Sequence, residues 1–429
     1  MGMSKEPKDL PMSARKLAFR DVQHKALFVL YVAALFLFFP DSGKAVPMQN
    51  FHKKPAVVLM HNPGIQYWGG MEAHIVNYYK TLIANSHAAI LVTRHGSETA
   101  RQLNLMGLPY RTFSKEGLYH DMLSACKDIN ADAVVCINTA QLNAARQVAR
   151  ILPIKIIFEQ HMMDYAQQLP RGDMKVLKGI DAIVATNPLL VSDFKKANAG
   201  HFLKIGHIAF ISPFMDDDRF LLPLPTLSRN QYFKAQYNID LKSCPVVCMI
   251  GGMYPDVKGK NYPLLFQAIK HFVHIKKTPV QAIIVGDGVK RDYLMQLAKK
   301  LGVNQYIHFL GFRPPQEIPA ILHYSDFNVL ASTHESFGLV HVEAFLAKRP
   351  SIGALGTGAT LIIKHGLNGF LFKNDNLDDL VKYMKLLAFD PALRTKLGNA
   401  GYTHAQNNFS NQYRYALLVD LFKQMGIYT

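Results

Sequence analysis

The chain has 429 residues, of which 49 % are hydrophobic and 18 % charged, which excludes a disordered protein and exceeds what one ordinary core needs. The formal net charge is +17, from 48 Lys and Arg against 31 Asp and Glu, and such an excess draws polyanions. The basic residues are spread along the chain, neither interleaved with aromatics nor set in a helix-turn-helix pattern, so nucleic acid is not the expected partner; a phosphate-bearing ligand or a membrane surface is.

Chain order begins with a basic tail, residues 1–54. Within it Ala26 to Phe39, "ALFVLYVAALFLFF", is an uncharged run of 14 residues that follows Lys5, Lys8, Arg15, Lys16, Arg20 and Lys25. As a helix this run extends about 21 Å, short of the roughly 30 Å hydrocarbon core. A cleaved signal peptide (with Gly43-Lys44-Ala45 as the cleavage site), a short or tilted anchor and an interfacial helix all fit it. Residues 26–39 are therefore expected to associate with a membrane. The cytoplasmic face of a membrane is the expected location; a luminal type II arrangement, which also keeps the basic flank inside, is the alternative.

From residue 55 short apolar runs alternate with helical stretches, the pattern of parallel α/β sheets. Strands are predicted at "AVVLM" (56–60), "AAILVT" (88–93), "DAVVCIN" (132–138), "IKIIFEQ" (154–160) and "DAIVAT" (181–186). Met71, Ile75, Tyr78 and Leu82 mark the core face of a helix after the loop "HNPGIQYWGG". Pro213, Pro223 and Pro225 lie in a linker over 211–230. A second series follows at "PVVCMIGG" (245–252), "QAIIVGDG" (281–288), "IHFLGF" (307–312), "FNVLAS" (327–332) and "PSIGAL" (350–355), with a helix over 290–302. The organisation predicted is a Rossmann-like domain over 55–222, a second over 223–405 and a terminal helix over 406–429, with a cleft between two doubly wound sheets. Cys126, Cys136, Cys244 and Cys248 have no zinc spacing and are expected to be buried reduced thiols.

"THESFGLVHVEAF", 333–345, sets two carboxylates around a glycine. Glu335 is predicted in the loop past a strand's carboxyl end, and Gly338 lets the backbone turn into a helix that holds Glu343. The two acids are then about 10 Å apart, too far for an acid–base pair on one hydrolysed bond. They suit an elongated ligand gripped through hydroxyls at two places, with amides of Phe337 to Val340 between them for a diphosphate. A capping Glu and a surface-helix Glu fit the same spacing.

This stretch resembles the E-x7-E element of retaining glycosyltransferases of GT-B fold, family 4 or group 1. The likeness runs from about residue 55 to about 410 through "GGMEAHIVN", "FEQHMMD", "ISPFMDDDRF", "IIVGDGVKRDYLMQLAKKLGVNQYIHFLGF" and "HGLNGFLF", in order. The resemblance implies that Glu343 binds ribose hydroxyls and Glu335 the donor hexose, with Phe337, Gly338 and Leu339 nearby. It implies that Lys258 neutralises the diphosphate, that Gly69 and Gly70 meet the distal phosphate, and that His161 faces the transferred sugar. Gly311 to Pro314, with Arg313 among them, would flank the base. No cofactor and no metal are implied; Asp216-Asp217-Asp218 reads as a turn cap rather than a metal site.

Two departures from the family pattern stand out. Gly252 falls where an Arg beside the leaving diphosphate is common, with Lys260 and Arg313 as substitutes, and Leu361 replaces a common Glu. The expected function is transfer of a hexose from a nucleotide diphosphate sugar to a hydroxyl of a lipid-linked or surface glycan, with retention. A sugar-nucleotide-binding protein without transfer, and a sugar-nucleotide epimerase of the same fold, are the alternatives.

Overall fold

The computed structural model describes residues 53–61, 69–114, 116–160, 176–199, 203–253 and 259–428. The apolar run 26–39, His161 and Lys258 lie outside them.

The first sheet has seven parallel strands: β1 (Val57–Met60), β2 (Ala89–Thr93), β3 (Arg111–Thr112), β4 (Ala133–Cys136), β5 (Lys155–Gln160), β6 (Ala182–Ala185) and β7 (His207–Phe210). Their order is β3-β2-β1-β4-β5-β6-β7, with Val57 level with Ala89 on one side and Ala133 on the other. β1, β4 and β6 are buried along their whole length, because helices cover both faces of a parallel sheet. On the helix Gly70–Ala84, Ile75, Tyr78 and Leu82 pack against Val57 and Leu59. Met71 instead lines a cavity described below.

The second sheet has six parallel strands: β8 (Val246–Ile250), β9 (Gln281–Val285), β10 (Ile307–Gly311), β11 (Phe327–Leu330), β12 (Ser351–Ala354) and β13 (Gly369–Phe372), in the order β10-β9-β8-β11-β12-β13. In both sheets the strand order reverses once, between β1 and β4 and between β8 and β11. Loops leaving the carboxyl ends at such a reversal diverge to opposite faces and open a crevice.

Each strand predicted from an apolar run is present, trimmed by up to three residues at its ends. β3, β7 and β13 had no such prediction, and all three are sheet edges. An edge strand pairs on one side only: β3 has two residues, and all four of β7 are only half-buried. Within β13, Gly369 is required because a Cβ there would lie 2.1 Å from Ser351 O.

The helix Asn411–Gln424 returns to the first lobe. Its Leu418, Leu421 and Phe422, with Met425 beyond it, join Val57, Leu59 and Tyr78 in one core. The segment between β7 and the second lobe is fastened on both sides. Phe214 N–H donates to His74 Nδ1 (2.8 Å), and Nε2 of that imidazole donates to the buried Glu159 (2.8 Å). Lys80 pairs with Asp216 at 3.1 Å, and Asp217 accepts from Asn411 N–H at 2.8 Å. The fully buried Arg414 donates to Ser212 Oγ at 3.0 Å.

Cys126, Cys136 and Cys248 are buried free thiols, and Cys244 is half-buried. Among the described residues no helix is long and apolar enough to cross a membrane.

Candidate functional site

A cavity of about 940 Å³ lies between the lobes at the carboxyl ends of both sheets. From the second lobe it is walled by Gly251 and Gly252, just past β8, and by the loop Glu335–Gly338, past β11. From the first lobe it is walled by Gly69 and Gly70, at the start of the helix Gly70–Ala84. The gap is narrow here: a Cβ on Gly70 would sit 3.8 Å from Leu339 Cδ1 of the other lobe.

Gly338 adopts φ +91°, and this left-handed residue ends the loop and begins the helix Leu339–Leu346. The turn carries Glu335 on one side and Glu343, a helical turn further on, to the same cavity, with side-chain exposures of 18 % and 15 %. Between them the helix begins with the amides of Leu339 and Val340, at the positive end of the helix dipole, before the His341 N–H is taken by Gly338 O at 2.9 Å. Glu335 O accepts from Gly358 N–H at 2.6 Å, and Asn187, from the first lobe, donates to Ser336 O at 3.0 Å. The loop is therefore held by its own lobe and by the other.

Among the described residues, the charged groups lining the cavity are paired. Lys260 Nζ lies 2.6 Å from Glu335 Oε2. Arg219, from the linker, pairs with Glu343. Glu98 accepts from Arg101 through two bonds of 2.8 and 2.6 Å, and Asp287 pairs with Arg291 at 3.2 Å. Arg313 donates to Leu310 O and lies 5.3 Å from the Tyr237 ring centre. Behind the loop the fully buried His341 has Nδ1 2.6 Å from Ser351 Oγ, which also accepts from Asn328 at 2.8 Å. Burial pushes the His341 imidazole down to about 4, with Glu335 pulling it up and Lys260 down.

Of the residues singled out from the sequence, Gly69, Gly70, Arg313, Glu335, Phe337, Gly338, Leu339 and Glu343 line this one cavity. The Phe337 ring itself turns into the core, edge-on to Phe409 at 5.7 Å. Gly311 sits one layer back, its carbonyl taken by Gly286 N–H at 2.9 Å, while Phe312 and Pro315 reach the cavity. Arg219, Asp287, Glu98, Arg101 and Thr186 line it too and were not singled out. Arg219 lay within the quoted "ISPFMDDDRF", but its partner is 124 residues away in sequence.

Residues 240–404 match the family model described as glycosyl transferases group 1. A D-inositol 3-phosphate glycosyltransferase of Corynebacterium aurimucosum is 22 % identical over 399 residues, 84 % of this chain and 91 % of the relative. A lipopolysaccharide core biosynthesis glycosyltransferase of Rhizobium meliloti, LpsD, is 28 % identical over 183 residues, 43 % of this chain and 51 % of the relative. Among solved structures, Anabaena HepE in complex with UDP and glucose superposes with a TM-score of 0.71 at 18 % identity, covering 86 % of this chain and 100 % of that one. At that identity the likeness speaks for the fold. The second lobe thus matches the model of the group 1 glycosyl transferases, and the two-lobed GT-B fold spans both lobes.

Proposed function

We propose that the protein transfers a hexose from a nucleotide diphosphate sugar to a hydroxyl acceptor with retention of configuration. One observation carries the reading: Glu335 and Glu343 face a single cavity of about 940 Å³, with a helix N-terminus between them. That volume suits a sugar nucleotide, and the order acid, amides, acid suits hexose, diphosphate and ribose. The UDP and glucose bound by Anabaena HepE make a UDP-hexose the first donor to test.

In the reaction the bond between the anomeric carbon and the diphosphate oxygen breaks, and the acceptor oxygen bonds to that carbon from the same face. The acceptor proton passes to the departing diphosphate. The protein contributes position and charge stabilisation rather than a dedicated base. Glu335 holds the hexose, Glu343 the ribose, and Gly69 and Gly70 the distal phosphate; the family resemblance adds Lys258 at the diphosphate and His161 at the sugar. The run 26–39 and the net charge of +17 favour a lipid-linked or surface-glycan acceptor at the cytoplasmic face of a membrane.

A second reading, binding without transfer, draws on Gly252, which lines the cavity and brings no cation to it. Incubation of the full chain with UDP- and GDP-hexoses and a panel of glycan and lipid-linked acceptors separates the readings. Acceptor-dependent nucleotide release, with an α-donor giving an α-product by NMR, supports the proposal. Nucleotide binding without release supports the binder, and an interconverted sugar nucleotide without acceptor supports an epimerase.

A further inference from the structure

Among the described residues, every charged group that lines the interlobe cavity already has a partner in the protein, so an incoming diphosphate has to share a cation with an existing contact. The described cations on the wall are Arg101, Arg219, Lys260 and Arg313. Arg101 is tied through two bonds to Glu98 on the first lobe. Arg219 is 7 % exposed and committed to Glu343. Arg313 lies over Tyr237 and donates to Leu310 O.

Lys260 differs from these. Its ammonium makes one hydrogen bond to the protein, to Glu335, and has two further N–H donors. It is also held in place. Gly259 O accepts from Thr333 N–H at 2.8 Å, which ties its loop to the loop carrying Glu335. Its stem lies across the end of β8, where a Cβ on Gly251 would come within 3.1 Å of Lys260 Cδ and 3.2 Å of Cγ. Gly251 thus leaves the room that the stem occupies, and neighbouring Gly252 leaves the wall beside it open.

We propose that Lys260 is a cation for the donor's diphosphate, its ammonium bridging the Glu335 carboxylate and a phosphate oxygen. This rests on the reading of the cavity as a nucleotide diphosphate site and adds the residue that supplies charge beside Gly252. On departure the diphosphate gains negative charge as its bond to the anomeric carbon breaks. A fixed ammonium stabilises that charge more than the ground state.

Calorimetry on the full-length protein with UDP, UMP, GDP and GMP tests this, because the diphosphates differ from the monophosphates only in the group Lys260 is assigned. The wild type is expected to bind one diphosphate more tightly than its monophosphate. Lys260→Met is expected to erase about tenfold of that preference, the scale of one charge-assisted hydrogen bond, while leaving the monophosphate unchanged. Lys260→Arg, which keeps the charge, is expected to restore most of it. Glu335→Gln, which removes the competing carboxylate, is expected to widen the preference. A Lys260→Met protein with an unchanged diphosphate-to-monophosphate ratio overturns the proposal, whether both affinities hold or both fall together. A wild type that binds none of the four nucleotides overturns the underlying reading of the cavity, and the proposal with it.

Discussion

Arg219 and Glu343 form an ion pair at the seam between the lobes, with 7 % and 15 % of their side chains exposed. Arg219 lies in the turn Asp218–Leu221 of the segment that leaves the first lobe, and Glu343 belongs to the helix Leu339–Leu346 of the second. Under the proposed function, this one carboxylate holds both the domain junction and the ribose of the donor.

Arg219→Met leaves Glu343 without its cation. Breaking a buried pair from one side costs about 3–5 kcal/mol, so urea denaturation should show a loss on that scale. UDP and UMP affinities should fall together, in contrast to Lys260→Met, because the ribose contact is common to both.

Gly338→Ala tests the turn into the helix. Its φ of +91° disfavours any side chain, and a Cβ would meet His341 Cδ2 at 2.8 Å and Glu335 Cγ at 3.3 Å. Backbone strain alone costs about 1–3 kcal/mol. The variant should lose stability by at least that much and lose transfer activity further, since the clash displaces the loop carrying Glu335. Unchanged kcat/KM would contradict the assignment of this loop to the donor.

His341 makes stability depend on pH. Burial lowers its folded-state pKa from 6.5 to about 4, so between those values the unfolded chain binds a proton that the folded chain does not. Stability is full above about pH 6.5 and falls as pH drops toward 4, by on the order of 3 kcal/mol in all. His341→Asn, which can still hydrogen-bond Ser351, should flatten that part of the profile. Parallel urea titrations of both proteins from pH 4 to pH 7 measure the difference.

Phe422→Ala probes the returning C-terminal helix. Phe422 is fully buried in the first lobe's core, and emptying its site should cost about 3–5 kcal/mol by thermal or urea denaturation. A loss under about 1 kcal/mol would mean that the helix Asn411–Gln424 is not part of that core.

Much of this architecture was legible in the sequence because central parallel strands are buried on both faces and must be apolar throughout, as in "AVVLM" and "QAIIV". The edges were not legible. β3 and β7 are short, and β13 contains a glycine that only its contact with Ser351 explains. In the site, Glu335, Gly338 and Glu343 were readable because a loop, a turn and a helix fix them over nine residues. Their partners were not. Lys260 and Arg219 lie 75 and 124 residues away, and nothing local in "GKNY" or "DDRF" says which acid each will meet. The course of the last helix back to the first lobe was hidden for the same reason, since an apolar helix face does not name the sheet it covers.

The most direct test of the central claim is difference electron density from crystals of the protein grown with UDP or GDP. The account predicts one nucleotide in the interlobe cavity, with ribose hydroxyls within hydrogen-bond distance of the Glu343 carboxylate. Its β-phosphate should lie at the amides of Phe337 to Val340. A nucleotide bound elsewhere, or lying in the cavity with its ribose remote from Glu343, would contradict it.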